Sequence, residues 1–228
     1  MPTIADNIAK YQQELKPTGC RLIAVTKTRS IEEITEAYET GLRTFGENKV
    51  QELEVKYRAL PKDVEWHMIG HLQSNKIKYI APFVTLIHSV DSFKLLQAID
   101  KQGAKINRVL SCLLQVHIAK EETKYGFDEE ELFKMLSSKA FANLNFVRID
   151  GLMGMATNTD DEEIIRNEFA GLKNLFTRIK TEYFSGAANF EEISMGMTHD
   201  YKTALAAGST MVRIGSGIFG ERAYTNAD

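Results

Sequence analysis

Eight runs of strand composition alternate with segments of helical spacing along this chain, and that alternation restricts the fold more than any other feature. The runs are RLIAVTK (21–27), TFGEN (44–48), VEWHMIG (64–70), TLIHSVD (85–91), VLSCLLQVHI (109–118), NFVRIDGLMGM (145–155), EEISMGM (191–197) and TMVRIGSGIF (210–219). Each is rich in apolar and β-branched residues. Helical segments lie between them, the clearest over 161–184, where Ile165, Phe169, Leu172, Phe176, Ile179 and Tyr183 step by four and three. Such alternation predicts parallel βαβ units with right-handed crossovers. Eight units in 228 residues fit an α/β fold of one closed (β/α)8 TIM barrel better than an open doubly wound sheet. The expectation is a single domain over 1–228. Residues 3–15 would be an extra N-terminal helix closing the barrel floor, and no C-terminal β domain would follow strand eight.

Composition agrees with a globular domain and excludes several functions. With 43% hydrophobic residues the chain can bury a sizeable core. A net charge of −3 gives no basic surface for nucleic acid and no polybasic membrane patch. The longest apolar runs are too short to span a bilayer, and the N-terminus lacks a signal-peptide pattern. Cys20 and Cys112 make neither a disulfide framework nor a zinc pattern. A cytoplasmic monomer is expected.

The candidate chemistry lies on strands one and eight. Ile23, Val25 and Lys27 share a parity, so the first strand aims a lysine the same way as its buried isoleucine and valine. Strand C-termini carry the active sites of such barrels. Desolvation at the barrel mouth lowers a lysine pKa, and a neutral amine is what Schiff-base formation with an aldehyde requires. On strand eight Met211, Arg213 and Gly215 share a parity, so an arginine also points inward, where it needs an acceptor or anion. GSGIFG follows directly, and the loops after strands seven and eight commonly bind phosphate. Strand seven ends in SMGMTHD, with Ser194 and Thr198 as hydroxyl donors. They are four residues apart, roughly 13 Å in an extended strand, so one phosphate would not meet both, and Ser194 is preferred. Asp200 would cap the next helix. A phosphorylated aromatic aldehyde, pyridoxal 5'-phosphate, would use all of these: Lys27 for the carbonyl, the hydroxyls and GSG loop for the phosphate, Arg213 for the pyridine nitrogen.

The motifs AVTKTRS, FGENKVQE, WHMIGHLQSNK, HSVD, KYGF, GLMGMA and SMGMTHDYKTALAAGSTMVRIGSGIFGER resemble, in order and from about residue 20 to residue 222, those of the pyridoxal phosphate homeostasis protein family, the YggS-like proteins. The resemblance implies the fold type III barrel of alanine racemases, with the cofactor on the lysine matching Lys27. It also implies Asn48 beside the cofactor, Arg213 at the pyridine nitrogen, and Gly215 and Ser216 at the phosphate. Thr198 and Ser216 stand where many members carry serine and threonine, and both keep a hydroxyl.

Other tempting residues read as structure. His67 and His71 are spaced i, i+4 but lie on strand and loop, so no metal site is expected. His88 would order the mouth of strand four, Asp91 would cap the following helix, and Met195, Met197 and Met211 would fill the core. The functional expectation is a non-catalytic protein that holds pyridoxal phosphate on Lys27, limits the free aldehyde and meets pyridoxal-phosphate-dependent apoenzymes transiently. The alternative is an amino-acid racemase using the same cofactor. It is disfavoured because racemases of this fold add a β domain carrying a second base, for which little chain remains.

Overall fold

The computed structural model describes residues 2–121 and 125–221. Lys124 of the KYGF motif and the tail after Glu221 lie outside the described residues. Eight parallel strands, β1 (Arg21–Val25), β2 (Thr44–Glu47), β3 (Glu65–Met68), β4 (Leu86–Val90), β5 (Leu110–Gln115), β6 (Val147–Met153), β7 (Glu192–Met197) and β8 (Met211–Ile214), close into one barrel in sequence order. Every strand run of the sequence forms a strand, each shorter than its run. The helices are α1 (Ile4–Leu15), α2 (Ile31–Glu39), α3 (Val50–Ala59), α4 (Ile77–Ile80), α5 (Phe93–Ile106), α6 (Glu129–Leu136), α7 (Lys139–Ala142), α8 (Glu162–Tyr183), α9 (Tyr201–Ala206) and α10 (Ser216–Phe219). Periodicity did not show α4, α7, α9 and α10, because one turn or slightly more establishes no repeat. Among the described residues, no helix is long and apolar enough to cross a membrane.

The strands are buried on both faces, as parallel sheets require. Ile23, Leu86, Leu113, Met153 and Met211 pack together inside the barrel. A larger core, including Leu22, Ala24, Phe45, Trp66 and Leu152, lies between barrel and helices. On β1 the alternation is therefore Leu22 and Ala24 outward, Ile23 inward. Side-chain caps define where the longer helices begin. Ser30 and Glu33 form a capping box at α2, and Asp161 accepts from the Glu163 and Ile164 N–H groups at α8, satisfying donors that a first turn leaves unpaired.

The N-terminal helix does not cross the floor. Instead α1 packs in the outer helical layer against α2 and α10, with Asn7 donating to Ile218 O at 2.9 Å and Tyr11 edge-on to Tyr201 of α9 at 5.3 Å. The physical reason is a vacancy in the helical ring. The helix after β8, α10, has only four residues, and the apolar face of α1 (Ile8, Tyr11, Leu15) covers the outer side of β1 that a full eighth helix would otherwise bury.

Three bulges interrupt the ladder: on β4, where Ile87 pairs with Cys112 but Val90 with Leu114, and on β6 and β7. Cys112 pairs with Ile149 but Leu113 pairs with Gly151, so β6 carries one extra residue at Asp150. Ser194 lies opposite Met211 but Met197 opposite Arg213, so β7 also carries one extra residue, next to Gly196 at φ +96°. An extra residue reverses the parity beyond it. Met195 and Met211 are fully buried, but Met197 turns out to the mouth and is 39% exposed, so it does not fill the core.

Gly151 has φ +153°, and a Cβ there would lie 1.8 Å from Glu192 O, the residue it pairs with across β6 and β7. Gly151→Ala is expected to cost several kcal/mol, because the clash is with ladder backbone that cannot yield. A denaturant midpoint within experimental error of the parent would contradict this.

Candidate functional site

The C-terminal ends of β1, β2, β7 and β8 surround a cavity of about 240 Å³, whose lining includes Lys27, Asn48, Thr198, Arg213, Gly215 and Ser216. A second cavity of about 520 Å³ adjoins it and shares Lys27, His199, Gly215 and Ser216. The structure thus brings six of the seven expected site residues to one mouth. Ser194 is the exception. It is fully buried in the layer beneath and is not among the residues of either cavity.

Lys27 follows the last residue of β1 by two positions and sits in the turn leading to α2. It keeps the inward sense of Ile23 and Val25, and Val25 lines both cavities beside it. Asn48 directly follows β2. The β2 and β3 ends approach so closely here that a Cβ on Gly70 would lie 2.4 Å from Asn48 O. That approach sets Ile69 beside Asn48 on the cavity wall. Asn48 Oδ1 is buried with no hydrogen-bond partner among the described residues. An unpaired buried acceptor costs free energy unless a ligand supplies the donor. Thr198 Oγ1 accepts from the Gly217 N–H at 3.4 Å, tying the β7 loop to the first turn after β8. Asp200 does not cap α9 through its side chain; its carboxylate accepts from the Met197 N–H instead, holding the same loop.

Arg213 is 4% exposed and donates to Ser194 O at 2.8 Å, Ser194 Oγ at 2.6 Å and Gly154 O at 3.1 Å. Burial pushes its pKa down to about 10, while Asp200 pulls it upward, so it is charged at neutral pH. A chain of hydrogen bonds continues below it. Ser194 Oγ lies 2.9 Å from His88 Nδ1, and His88 Nε2 lies 2.8 Å from His67 Nδ1. Guanidinium can only donate, so the Ser194 hydroxyl accepts from Arg213; the arrangement that also uses the hydroxyl hydrogen has it donated to His88 Nδ1, with His88 donating from Nε2 to His67. Both imidazoles are neutral. Burial drives His67 down to about 3, helped by Arg21. Burial also takes His88 well below its ordinary value, with His67 and Arg213 adding to the effect. His88 therefore supports the site from inside the barrel.

His71 and His67 diverge. His67 is buried in this chain, whereas His71 pairs with Asp91 at 2.9 Å, and Ser92 rather than Asp91 caps α5. Among the described residues no group of three His, Cys, Asp or Glu could hold a metal ion. A larger cavity of about 830 Å³, lined by His71, Asp91, His117 and Tyr125 among others, shares no residue with the Lys27 cavities.

The sequence reading missed a buried charged cluster behind Lys27. Glu47 is fully buried and pairs with Lys56. It also accepts from Thr26 Oγ1 at 2.6 Å and from the Asn48 N–H at 3.2 Å. Burial raises the Glu47 pKa against the opposing pull of Lys56. The available signal was Lys56 itself, a charge in the buried stripe Val50, Leu53, Lys56 of α3.

Residues 1–223 match the family described as alanine racemase, N-terminal domain. Fold and mouth together define a barrel of that class, with a lysine on the first strand-to-helix turn and an arginine on the last strand. A pyridoxal phosphate homeostasis protein of Aquifex aeolicus (strain VF5) is 40% identical over 205 residues, covering 90% of this chain and 88% of that protein. The chain belongs to the pyridoxal phosphate homeostasis protein family. The structure of PipY from Synechococcus elongatus PCC7942 with PLP bound has a TM-score of 0.86 at 34% identity, covering 96% of this chain and 100% of that one. Alanine racemase from Bartonella henselae, with covalently bound pyridoxal phosphate, shares the fold at a TM-score of 0.72 and 17% identity, covering 96% of this chain and 60% of that one.

The neutral histidine pair makes stability depend on pH. Each folded-state pKa lies below the unfolded value of about 6.5, so the unfolded chain binds more protons as pH falls. The stabilisation is complete above about pH 6.5 and is lost below it, approaching 1.4 kcal/mol per pH unit for each histidine. Denaturant unfolding at pH 7 and pH 5 should show this slope, and His67→Gln should remove its own share. An unchanged slope in that variant would show that His67 is not held neutral.

Proposed function

We propose that this chain binds pyridoxal 5'-phosphate covalently through Lys27 and serves in its intracellular homeostasis, without substantial amino-acid turnover. The observation that carries this reading is the convergence of Lys27, the partnerless Asn48 Oδ1, the donor-only Arg213 and the Thr198–Gly215–Ser216 loops on one mouth. The structure of the relative PipY with PLP bound supports it. When bound, the cofactor supplies an aldehyde for the lysine amine and a conjugated ring. Lys27 would hold the aldehyde carbon. Arg213 would donate to the pyridine nitrogen, Asn48 would sit beside the ring, and Gly215 and Ser216 would hold the phosphate. Thr198 is favoured over Ser194 as the β7 hydroxyl at the phosphate, because the Ser194 hydroxyl is already committed to Arg213 and His88.

The same arginine limits chemistry. A guanidinium donates to the ring nitrogen and so favours its unprotonated form, which weakens the ring as an electron sink. That disfavours aminotransferase-type reactions and leaves racemisation as the activity to test. Transient delivery to apoenzymes and a monomeric, cytoplasmic existence complete the proposal.

Incubation with pyridoxal phosphate, borohydride reduction and intact-mass analysis should give one cofactor adduct, absent from Lys27→Ala. An adduct surviving on that variant would remove Lys27 from this role. Ser216→Asp places a negative charge against the phosphate. It should weaken retention of pyridoxal phosphate by about tenfold or more and affect pyridoxal, which has no phosphate, much less. Equal losses would place Ser216 away from the phosphate. Racemisation of alanine at ordinary enzymatic rates, about 1–10³ s⁻¹, and lost in Lys27→Ala, would overturn the non-catalytic reading.

A further inference from the structure

The turn that presents Lys27 has an unusual backbone. Thr28, the next residue, has φ +65°; the other non-glycine residue with positive φ among those described is Asn107. Asn107 is the C-cap of α5, where a left-handed asparagine is common. Thr28 is the third residue of a β-turn closed by the Arg29 N–H donating to Thr26 O at 2.9 Å, the position that takes positive φ in a type II turn, and a β-branched side chain is disfavoured in that conformation. The turn bond does not remove that cost, and it leaves the Thr28 N–H to be satisfied from outside the turn.

The holder is on α3. Glu52 Oε2 accepts from the Thr28 N–H at 2.9 Å. One turn later on the same helix, Lys56 reaches Glu52 Oε2 at 3.4 Å and donates to Thr26 O at 2.7 Å. Both flanks of Lys27 are thus fixed from one helix: Thr26 through its carbonyl and Thr28 through its amide. Glu47, which anchors Lys56, also accepts from the Asn48 N–H. The i, i+4 pair of Glu52 and Lys56 adds little stability in itself when partly exposed, and Glu52 is 28% exposed.

We propose that Glu52 is a positioning residue for Lys27. Its carboxylate holds Thr28 left-handed, and that conformation directs the lysine amine into the cavity. Lys56 neutralises and orients Glu52 while fixing the other flank. This inference rests on the proposed covalent role of Lys27, in which the amine adds to an aldehyde with loss of one water.

The test compares the parent chain, Glu52→Ala, Glu52→Gln and the double variant Glu52→Ala/Thr28→Gly. Each is titrated with pyridoxal phosphate and with pyridoxal, followed by absorbance and by intact mass after reduction, and melted in parallel. Glu52→Ala should weaken adduct formation with both aldehydes by the same factor, on the order of tenfold, with little change in melting temperature. Glu52→Gln keeps a carbonyl acceptor for the Thr28 N–H and should lose less. Thr28→Gly in the Glu52→Ala background should restore adduct formation, because glycine adopts this conformation without steric cost. Parent-like binding by Glu52→Ala would overturn the proposal. So would a loss accompanied by a lower melting temperature that Thr28→Gly does not repair, since that is the behaviour of a purely structural ion pair. A parent chain that forms no adduct on Lys27 would overturn the covalent role itself.

Discussion

The backbone hydrogen bonds between β1 and β8 close the barrel, and the site exists because of that closure. Ile23 pairs with Arg213 and Ala24 with Ile214, so strands from opposite ends of the chain run side by side at the usual spacing of about 4.8 Å. The turn bearing Lys27 and the loop bearing Gly215 and Ser216 then leave neighbouring strands at the same level. Shear and tilt of a closed barrel are set by all its strands together, so the distance between these groups does not depend on any one loop.

Placing charged groups at a buried mouth carries a desolvation cost, and the structure offsets it with two polar clusters. Below the cavity, Arg213 is met by Ser194 and the Gly154 carbonyl, and the donor sequence continues through two neutral histidines. Behind the lysine turn, Glu47 and Lys56 pair in the layer between barrel and helices, with Thr26 and the Asn48 N–H completing the carboxylate's partners. Unpaired, either charge would cost several kcal/mol. Paired and hydrogen-bonded, each cluster fixes the residue that faces the cavity, so the site is organised before any ligand enters.

Most of the fold could be read in the sequence because buried parallel strands and amphipathic helices have different periods, and eight alternations are hard to mistake. Lys27 and Arg213 were legible for the same reason: β1 and β8 run without a bulge, so parity carries from the core residues Ile23 and Met211 to the strand ends. It failed on β7, where one extra residue turns Met197 to the mouth, leaves Ser194 inside the barrel and puts Thr198 on the cavity. Bulges have no reliable signature in a single sequence, and the Gly196 that accommodates this one is equally at home in a loop. Asn48 came from family resemblance alone, because four residues of strand give no pattern that singles out the residue after it.

The sequence by itself determined the element order, the inward lysine and arginine, and the glycine- and hydroxyl-bearing loop after the last strand, since all of these follow from local spacing and side-chain chemistry. Only the tertiary structure decided which hydroxyl reaches the cavity, what supports Arg213, where α1 packs and how the left-handed turn after Lys27 is held. Each of those depends on contacts between residues far apart in the chain, such as Thr28 with Glu52 and Ser194 with His88. Their partners are chosen by the register of a closed sheet, and local sequence carries no record of that register.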